Sequence, residues 1–287
     1  MIVFVILHYQ SFDETVAEVM HVINDLSGKI KVVIVDNASP NGSGKKLEEL
    51  FLNNKNVDVI LSNNNTGYAK GNNLGIRYAL EKYSPDFIIL ANNDIEFKQN
   101  NFLELLKESF QKKNFDILGP DIFVPETGIH QNPKQSNSYT IEQVQKINNN
   151  SRRLLNQNKL LFSFRANLKR VSKLRKFIIQ KRKATSIKRD IVQLNIVLHG
   201  SLLVFSKKFF DKMVVPFDEK TFFYFETEIL DRKMKDLNMI AKYDPSMLVY
   251  HHQNTSTKQS FKNAKAQQAF QLINMIKSTQ RFIDLFK

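Results

Sequence analysis

The sequence predicts an α/β fold: a mostly parallel sheet flanked by helices, with a basic helical insertion and a C-terminal amphipathic helix. Three observations carry this expectation. Short β-branched runs alternate with helix-like stretches through the first hundred residues, the rhythm of βαβ units, whose crossovers favour parallel pairing. Each run ends in a polar cluster, as strands do where their carboxyl ends form a ligand-binding edge. The positive charge is concentrated in one place. Segment 151–190 holds fourteen Lys or Arg and one acid, Asp190, which is thirteen of the fourteen net charges on the 287-residue chain.

The strand-like runs are 2–7, 31–35, 57–61 and 87–90, with helix-like stretches at 13–25, 43–53 and 72–82 between them. Their polar ends are His8-Tyr9-Gln10, Asp36-Asn37-Ala38-Ser39, Ser62-Asn63-Asn64-Asn65 and Asn92-Asn93-Asp94. In a parallel sheet these four clusters share one edge and should meet at one crevice. From about 119 the rhythm breaks, and Pro120, Pro125, Gly128 and Pro133 mark loops before the basic segment. A strand is expected over 196–205. Pro216 follows, then the aromatic run Phe222-Phe223-Tyr224-Phe225 with carboxylates at Glu226 and Glu228. A further strand-like stretch, 247–250, leads into His251-His252. Over 261–287, Phe270, Ile273, Ile276, Ile283 and Phe286 recur near helical spacing.

Composition narrows the chemistry. At 42% hydrophobic and 24% charged the chain is neither collagen-like nor wholly disordered. With no cysteine, disulfides, a thiolate nucleophile and Cys-ligated metals are excluded, so any metal must sit on oxygen or nitrogen. No apolar run reaches the roughly 18 residues of a membrane span, and 1–7 is too short and lacks the basic start of a secretory signal. The expected location is cytoplasmic.

Each chemistry-bearing residue has a bland alternative. Asp94, at the mouth of the sheet, suits Mg²⁺ or Mn²⁺, which bind through one or two carboxylates plus substrate phosphates; Asn-Asn-Asp is equally good turn chemistry. Asp36 can accept hydrogen bonds from a nucleobase or ribose, or can cap the next helix. The stretch 65–75, with Gly67, Gly71 and Gly75 among Asn65, Asn72 and Asn73, suits close approach of backbone to a polar ligand or a plain structural loop. It lacks both the Walker ending and the dinucleotide spacing. Glu226 and Glu228 offer a general base if burial raises a carboxyl pKa, or simply an acidic helix start. His251 is a candidate for a metal or diphosphate contact, or a polar surface group.

In this order the motifs resemble the family-2 inverting glycosyltransferases of the GT-A fold, in particular a rhamnosyltransferase-like branch. The resemblance covers about 1–125 and 195–260. It rests on Val33-Ile34-Val35-Asp36-Asn37-Ala38-Ser39, on 65–75, on Leu90-Ala91-Asn92-Asn93-Asp94, on Gly200-Ser201 with Phe217-Asp218-Glu219, on 222–230, and on His251 with Ser256. It implies a nucleotide-sugar-binding half at 1–125, the loop and basic insertion at 126–194, an acceptor and catalytic half of the same domain at 195–260, and the terminal helix at 261–287. It further implies that His8, Tyr9 and Asp36 line the base and ribose, beside Asn37, and that Lys70, Gly71 and Asn73 flank the nucleotide. Asn92 and Asn93 would stand with Asp94 in place of the family's Asp-x-Asp, Asp94 carrying Mg²⁺ or Mn²⁺ with His251 near the metal and diphosphate. Gly200 and Tyr224 belong to the acceptor side, where Glu226 or Glu228 is the base; the family pattern does not say which, and Glu226 is favoured by its place directly after the aromatic run. Two departures stand out: Asn92 replaces the first acid of the metal motif, and Glu226-Thr227-Glu228 replaces two adjacent acids.

The implied reaction moves a sugar, hexosyl or rhamnosyl, from a UDP or dTDP donor to a saccharide or lipid-linked saccharide acceptor, in cell-surface polysaccharide or glycolipid synthesis. Within 151–190 the cations interleave with apolar residues from Leu154 to Ile179, a pattern suited to an anionic membrane surface and so to a peripheral position on the inner face. The alternative is that these apolar residues pack on the domain or on another subunit, as a homo-oligomer. Two rival functions differ in their signatures. A nucleic-acid-binding protein would spread its basic residues beyond one insert, so no nucleic acid is expected. A sugar-nucleotide nucleotidyltransferase would carry a Gly-rich basic loop after the first strand, where His8-Tyr9-Gln10-Ser11-Phe12 stands instead.

Overall fold

The computed structural model describes residues 1–158, 162, 188–252 and 263–287. The first half runs β1 (Ile2–His8), α1 (Phe12–Asp25), β2 (Ile30–Asp36), α2 (Ser43–Phe51), β3 (Val57–Leu61), α3 (Gly67–Tyr83), β4 (Phe87–Asn92), β5 (Ile95–Phe97), α4 (Phe102–Lys112) and β6 (Ile117–Val124). It continues with β7 (Ile129–His130), α5 (Ile141–Leu155), β8 (Gln193–Leu194), β9 (Leu202–Ser206), α6 (Lys207–Phe210), α7 (Glu226–Asp236), β10 (Ala241–His251) and α8 (Ala264–Phe286). One sheet is formed in the order β3-β2-β1-β4-β9-β6-β10-β5, with β7 and β8 added at its side. Pairing is parallel from β3 to β4 and between β6 and β10; β9 is antiparallel to both neighbours and β5 to β10.

Burial on both faces explains why β1, β2 and β4 read as near-continuous apolar runs, whereas the edge strand β3 is mostly half-buried. Ile2, Phe4, Ile6, Val32 and Ile34 meet Val19 and Val22 of α1, Leu47 of α2 and Phe102 of α4 on one face. Val3, Val5, Val33 and Val35 meet Ala69, Ile76 and Ala79 of α3 on the other. A smaller core of Val144, Phe225, Ile229, Phe282 and Ile283 joins α5, α7 and α8. No helix among the described residues is long and apolar enough to cross a membrane.

Three expectations are corrected. Helix α3 starts at Gly67, not 72. Its glycines serve packing: a Cβ on Gly71 would lie 2.5 Å from Leu7 Cδ1, and one on Gly75 2.5 Å from Val5 Cγ1 and 2.8 Å from Val35 Cγ2. Close seating on the sheet outweighs the roughly 1 kcal/mol that each glycine costs a helix. The second correction is that Gly119 and Pro120 lie inside β6 rather than in a loop. Proline removes a ladder donor; β6 pairs with β9 only at Ile117 and Leu118, while Pro120 stands opposite Asp244 of β10 and its carbonyl accepts from Asn132 Nδ2 at 2.8 Å. Thirdly, the strand expected over 196–205 is confined to β9 at 202–206, and 196–201 bends toward the site. Most of the basic segment, and Ser256, lie outside the described residues.

Candidate active site

The registers bring the polar clusters to one edge. His8 stands opposite Asp36, Leu7 opposite Asn92, and Asp36 opposite Leu61. Asn37 ties the second and third clusters together: it donates to Asn65 Oδ1 at 3.1 Å and accepts from the Thr66 N–H at 2.9 Å. Tyr9 is half-buried beside them.

Several sequence-predicted residues are engaged within the protein. His8 is fully buried, with Nδ1 2.8 Å from Thr15 Oγ1 and Nε2 2.7 Å from Ser43 Oγ. Burial lowers its pKa to about 4, against the partial opposition of Asp36, so the ring is neutral at pH 7. It supports the edge from beneath. Asp36 accepts from the Ser39 N–H at 3.2 Å and packs where a Cβ on Gly44 would sit; it orders the turn before α2, whose N-cap is Gly42 with no side-chain cap bond. Asn93 donates to Thr15 Oγ1 at 2.9 Å, which turns its amide toward α1. Asn73 is fully buried, donating to Phe217 O at 2.9 Å and accepting from the Phe217 N–H at 3.2 Å. Gly71 faces β1 as described, and Lys70 is exposed.

The pairing of β5 with β10 sets His251 opposite Ile95, and the His252 N–H donates to Asp94 O at 3.0 Å. Two stretches far apart in sequence thus place Asp94 Oδ1 3.1 Å from His251 Nε2, both side chains being more than nine-tenths buried. Gln131 Oε1 lies 2.7 Å from His251 Nδ1 and can only accept there. Nε2 then faces the Asp94 carboxylate. This donor set, one carboxylate and one oriented imidazole, fits a divalent cation that completes its shell with water and phosphate oxygens. Among the described residues no group of three or more His, Asp or Glu is gathered as a metal cage. Asn92 is half-buried, its N–H held by Ser201 O at 2.9 Å. Glu18 of α1 is buried nearby; burial first, and the charge of Asp94 second, push its pKa well up.

From His251 the site continues to the glutamates. His199 lies with its ring centroid 6.2 Å from that of His251, and accepts at Nδ1 from the Ser201 N–H at 3.2 Å. Burial, then Lys134 and His251, keep it neutral. Tyr68 donates to Gly200 O at 2.6 Å, and a Cβ on Gly200 would lie 3.2 Å from Tyr68 Oη and Thr227 Cγ2. Both glutamates open α7 and are buried. Glu228 Oε1 is paired with Lys134 Nζ at 2.6 Å, and its Oε2 accepts from Thr227 Oγ1 at 3.1 Å. Glu226 differs. Its Oε1 is buried with no hydrogen-bond partner among the described residues, and burial, reinforced by Glu228, raises its pKa to about 8. Tyr224 beside it is pushed up to about 12, chiefly by burial.

The corner carrying Glu226 is strained and clamped. Tyr224 and Phe225 are both left-handed, with φ of 70°, a conformation costing on the order of 1 kcal/mol or more per residue. Helix α8 holds it: Ser278 donates to Phe223 O at 3.1 Å, Phe282 packs on Phe225, and Arg281 grips Asp218 with Nε and Nη2 at 3.1 and 3.0 Å. Sequence reasoning missed Tyr68, Gln131, Lys134 and His199 as parts of this cluster. His199 had one signal, its place before Gly200-Ser201; Lys134, in a loop after Pro133, had none. A separate groove of about 420 Å³ between α5 and α8, lined by Leu155, Phe162, Ala266 and Ala269, carries none of this chemistry.

The architecture, a mostly parallel sheet flanked by helices, is that of the GT-A fold. Staphylococcus aureus TarS 1–349 in complex with UDP-GlcNAc superimposes with a TM-score of 0.55 over 89% of this chain and 59% of that one, at 12% identity. A mannosyltransferase from Pyrobaculum calidifontis in complex with GDP-Man and Mn²⁺ gives 0.54 over 99% and 70%, at 11% identity. At that identity the likeness is one of fold. The chain belongs to glycosyl transferase family 2, whose model matches residues 3–183. It is 29% identical over 118 residues to the low-salt glycan biosynthesis hexosyltransferase Agl10 of Haloferax volcanii, covering 41% of this chain and 35% of that protein. It is 26% identical over 100 residues to the glycosyltransferase GlyG of Streptococcus pneumoniae, covering 35% and 32%. The matched stretches therefore span about a third of these relatives' length.

Proposed function

We propose that this glycosyltransferase moves a hexosyl or rhamnosyl group, with inversion, from a nucleoside-diphosphate sugar to a saccharide hydroxyl, in cell-surface polysaccharide or glycolipid synthesis. The observation that carries the proposal is the meeting of Asp94 and His251 at 3.1 Å, with His199 beside His251 and a buried glutamate, Glu226, that keeps an unpartnered oxygen among the described residues. Asp94 and His251 would hold the cation. When bound, Mg²⁺ or Mn²⁺ supplies Lewis-acid stabilisation of the charge on the departing diphosphate. Glu226 takes the proton from the acceptor hydroxyl. The freed acceptor oxygen bonds to the anomeric carbon from the face opposite the diphosphate, and the old C–O bond breaks with its electron pair leaving on the nucleoside diphosphate. Asp36 and Tyr9 lie on the base and ribose side, and Gly200 and Tyr224 on the acceptor side.

The donor is sought by thermal shift with UDP-, dTDP- and GDP-sugars plus Mn²⁺ or Mg²⁺, because a ligand that binds the folded state raises its unfolding temperature. The neighbours that bind UDP-GlcNAc and GDP-Man make these the first probes. With the sugar that gives the largest shift, the expected products are a nucleoside diphosphate and a glycoside of inverted anomeric configuration, read by NMR. Release of pyrophosphate, or retained configuration, overturns the proposal.

We also propose a peripheral seat on the inner membrane face through 151–190, supported by the interleaving of its fourteen cations with apolar residues. The chain is expected to sediment with vesicles containing anionic lipid and not with neutral ones, and deletion of 159–187 is expected to abolish the difference. Equal sedimentation with both vesicle types rejects this seat.

A further inference from the structure

The two glutamates at the start of α7 are not equivalent, and what separates them is a cation from elsewhere in the chain. Lys134 follows β7, its backbone N–H held by Val197 O at 2.9 Å. Its ammonium lies 2.6 Å from Glu228 Oε1 and reaches Thr227 Oγ1 at 3.4 Å. Both Glu228 oxygens are therefore engaged, one by Lys134 and the other by the Thr227 hydroxyl. No such partner holds Glu226 Oε1 among the described residues.

We propose that Lys134 is a positioning residue that holds Glu228 in an ion pair and so reserves Glu226 for the acceptor proton. This rests on the reading of Glu226 as base given above. Besides burial, the charge of Glu228 pushes the Glu226 pKa up, and the charge of Lys134 opposes that push. Burial alone would depress the ammonium, but the charge and hydrogen bond of Glu228 outweigh it and hold it protonated. The other groups facing the pair are Tyr68 from α3, Tyr139 before α5, Tyr224 and Asp231 on either side of the glutamates, and neutral His199. Burial raises the pKa of each tyrosine and of Asp231, so Lys134 is the cation of the set.

The test needs no substrate. A carboxyl whose folded pKa is raised stabilises the protein below its unfolded pKa, and that stability is lost as pH rises through the folded value. The unfolding-temperature difference between wild type and Glu226→Gln, followed from pH 5 to 10, therefore reports ionisation of Glu226. In a Lys134→Met background its midpoint should move up by about one pH unit or more, from the lost favourable charge. Lys134→Arg should leave the midpoint in place, and Lys134→Met with Glu228→Gln should bring it back. If Lys134→Met alone does not fold, the double variant against Glu228→Gln alone decides, and the inference then requires the double variant to fold. An unmoved midpoint in Lys134→Met, or the same upward move in Lys134→Arg, overturns the inference. Normal turnover in Glu226→Gln would instead remove the base assignment, a result separable from either.

Discussion

Glu226→Gln is expected to lower the rate of sugar transfer by about 10²–10⁴-fold, the range a positioned general base contributes, while the donor-induced rise in unfolding temperature persists. The amide keeps the shape of the side chain but cannot take the proton. In the wild type the rate should climb with pH and level off above about 8, because Glu226 must be ionised to act and its pKa stands near 8. Stability should run the other way. Between the ordinary carboxyl range and pH 8 the folded state binds the extra proton, so folding weakens as pH rises, and Glu226→Gln should unfold at a higher temperature than wild type above pH 8. A residue that costs stability where it works is expected of a catalytic group. Turnover near wild type in Glu226→Gln sinks the assignment, whereas Glu228→Gln is expected to act only indirectly, through the broken pair with Lys134.

Asp94→Ala is expected to reduce transfer by at least about 10²–10³-fold, the scale of losing one electrostatic stabiliser of the developing charge. It should also abolish the Mn²⁺-dependent part of the thermal shift given by a nucleoside diphosphate. The fold should survive, since Asp94 caps no core and its backbone carbonyl still accepts from His252. A Mn²⁺-dependent shift of undiminished size in Asp94→Ala would show that the cation sits elsewhere. His251→Ala should weaken the same shift less, because the carboxylate carries the charge.

Much of the architecture of the first half was legible in the chain. Strands β1, β2 and β4 stand out because burial on both faces leaves a near-continuous apolar run, and their polar ends mark the edge where they stop. The start of α3 was hidden because glycine ordinarily signals a turn, whereas here Gly71 and Gly75 are small so that a helix can lie close on Leu7 and Val5. Strand β6 was hidden for a similar reason: Gly119-Pro120 reads as a breaker, yet both residues stand in register with β10. The candidate site divides the same way. Asp94, Glu226, Glu228 and His251 were found from residue type and position after a strand or aromatic run. His8 and Asn73 were read as ligand contacts, but their polar atoms are engaged by Thr15 and Ser43 and by Phe217. A buried polar group must find a partner, and a one-dimensional pattern does not say whether that partner is a ligand or the protein.

By itself the sequence determined an α/β sheet with polar strand ends, a basic insertion and a short set of acids and histidines, because periodicity and local charge are properties of neighbouring residues. Only the tertiary structure decided that β5 and β10 bring Asp94 to His251, and that Lys134 engages Glu228 and leaves Glu226 unpaired at its buried oxygen. Those choices depend on register and desolvation, which arise when distant segments exclude water from the same space.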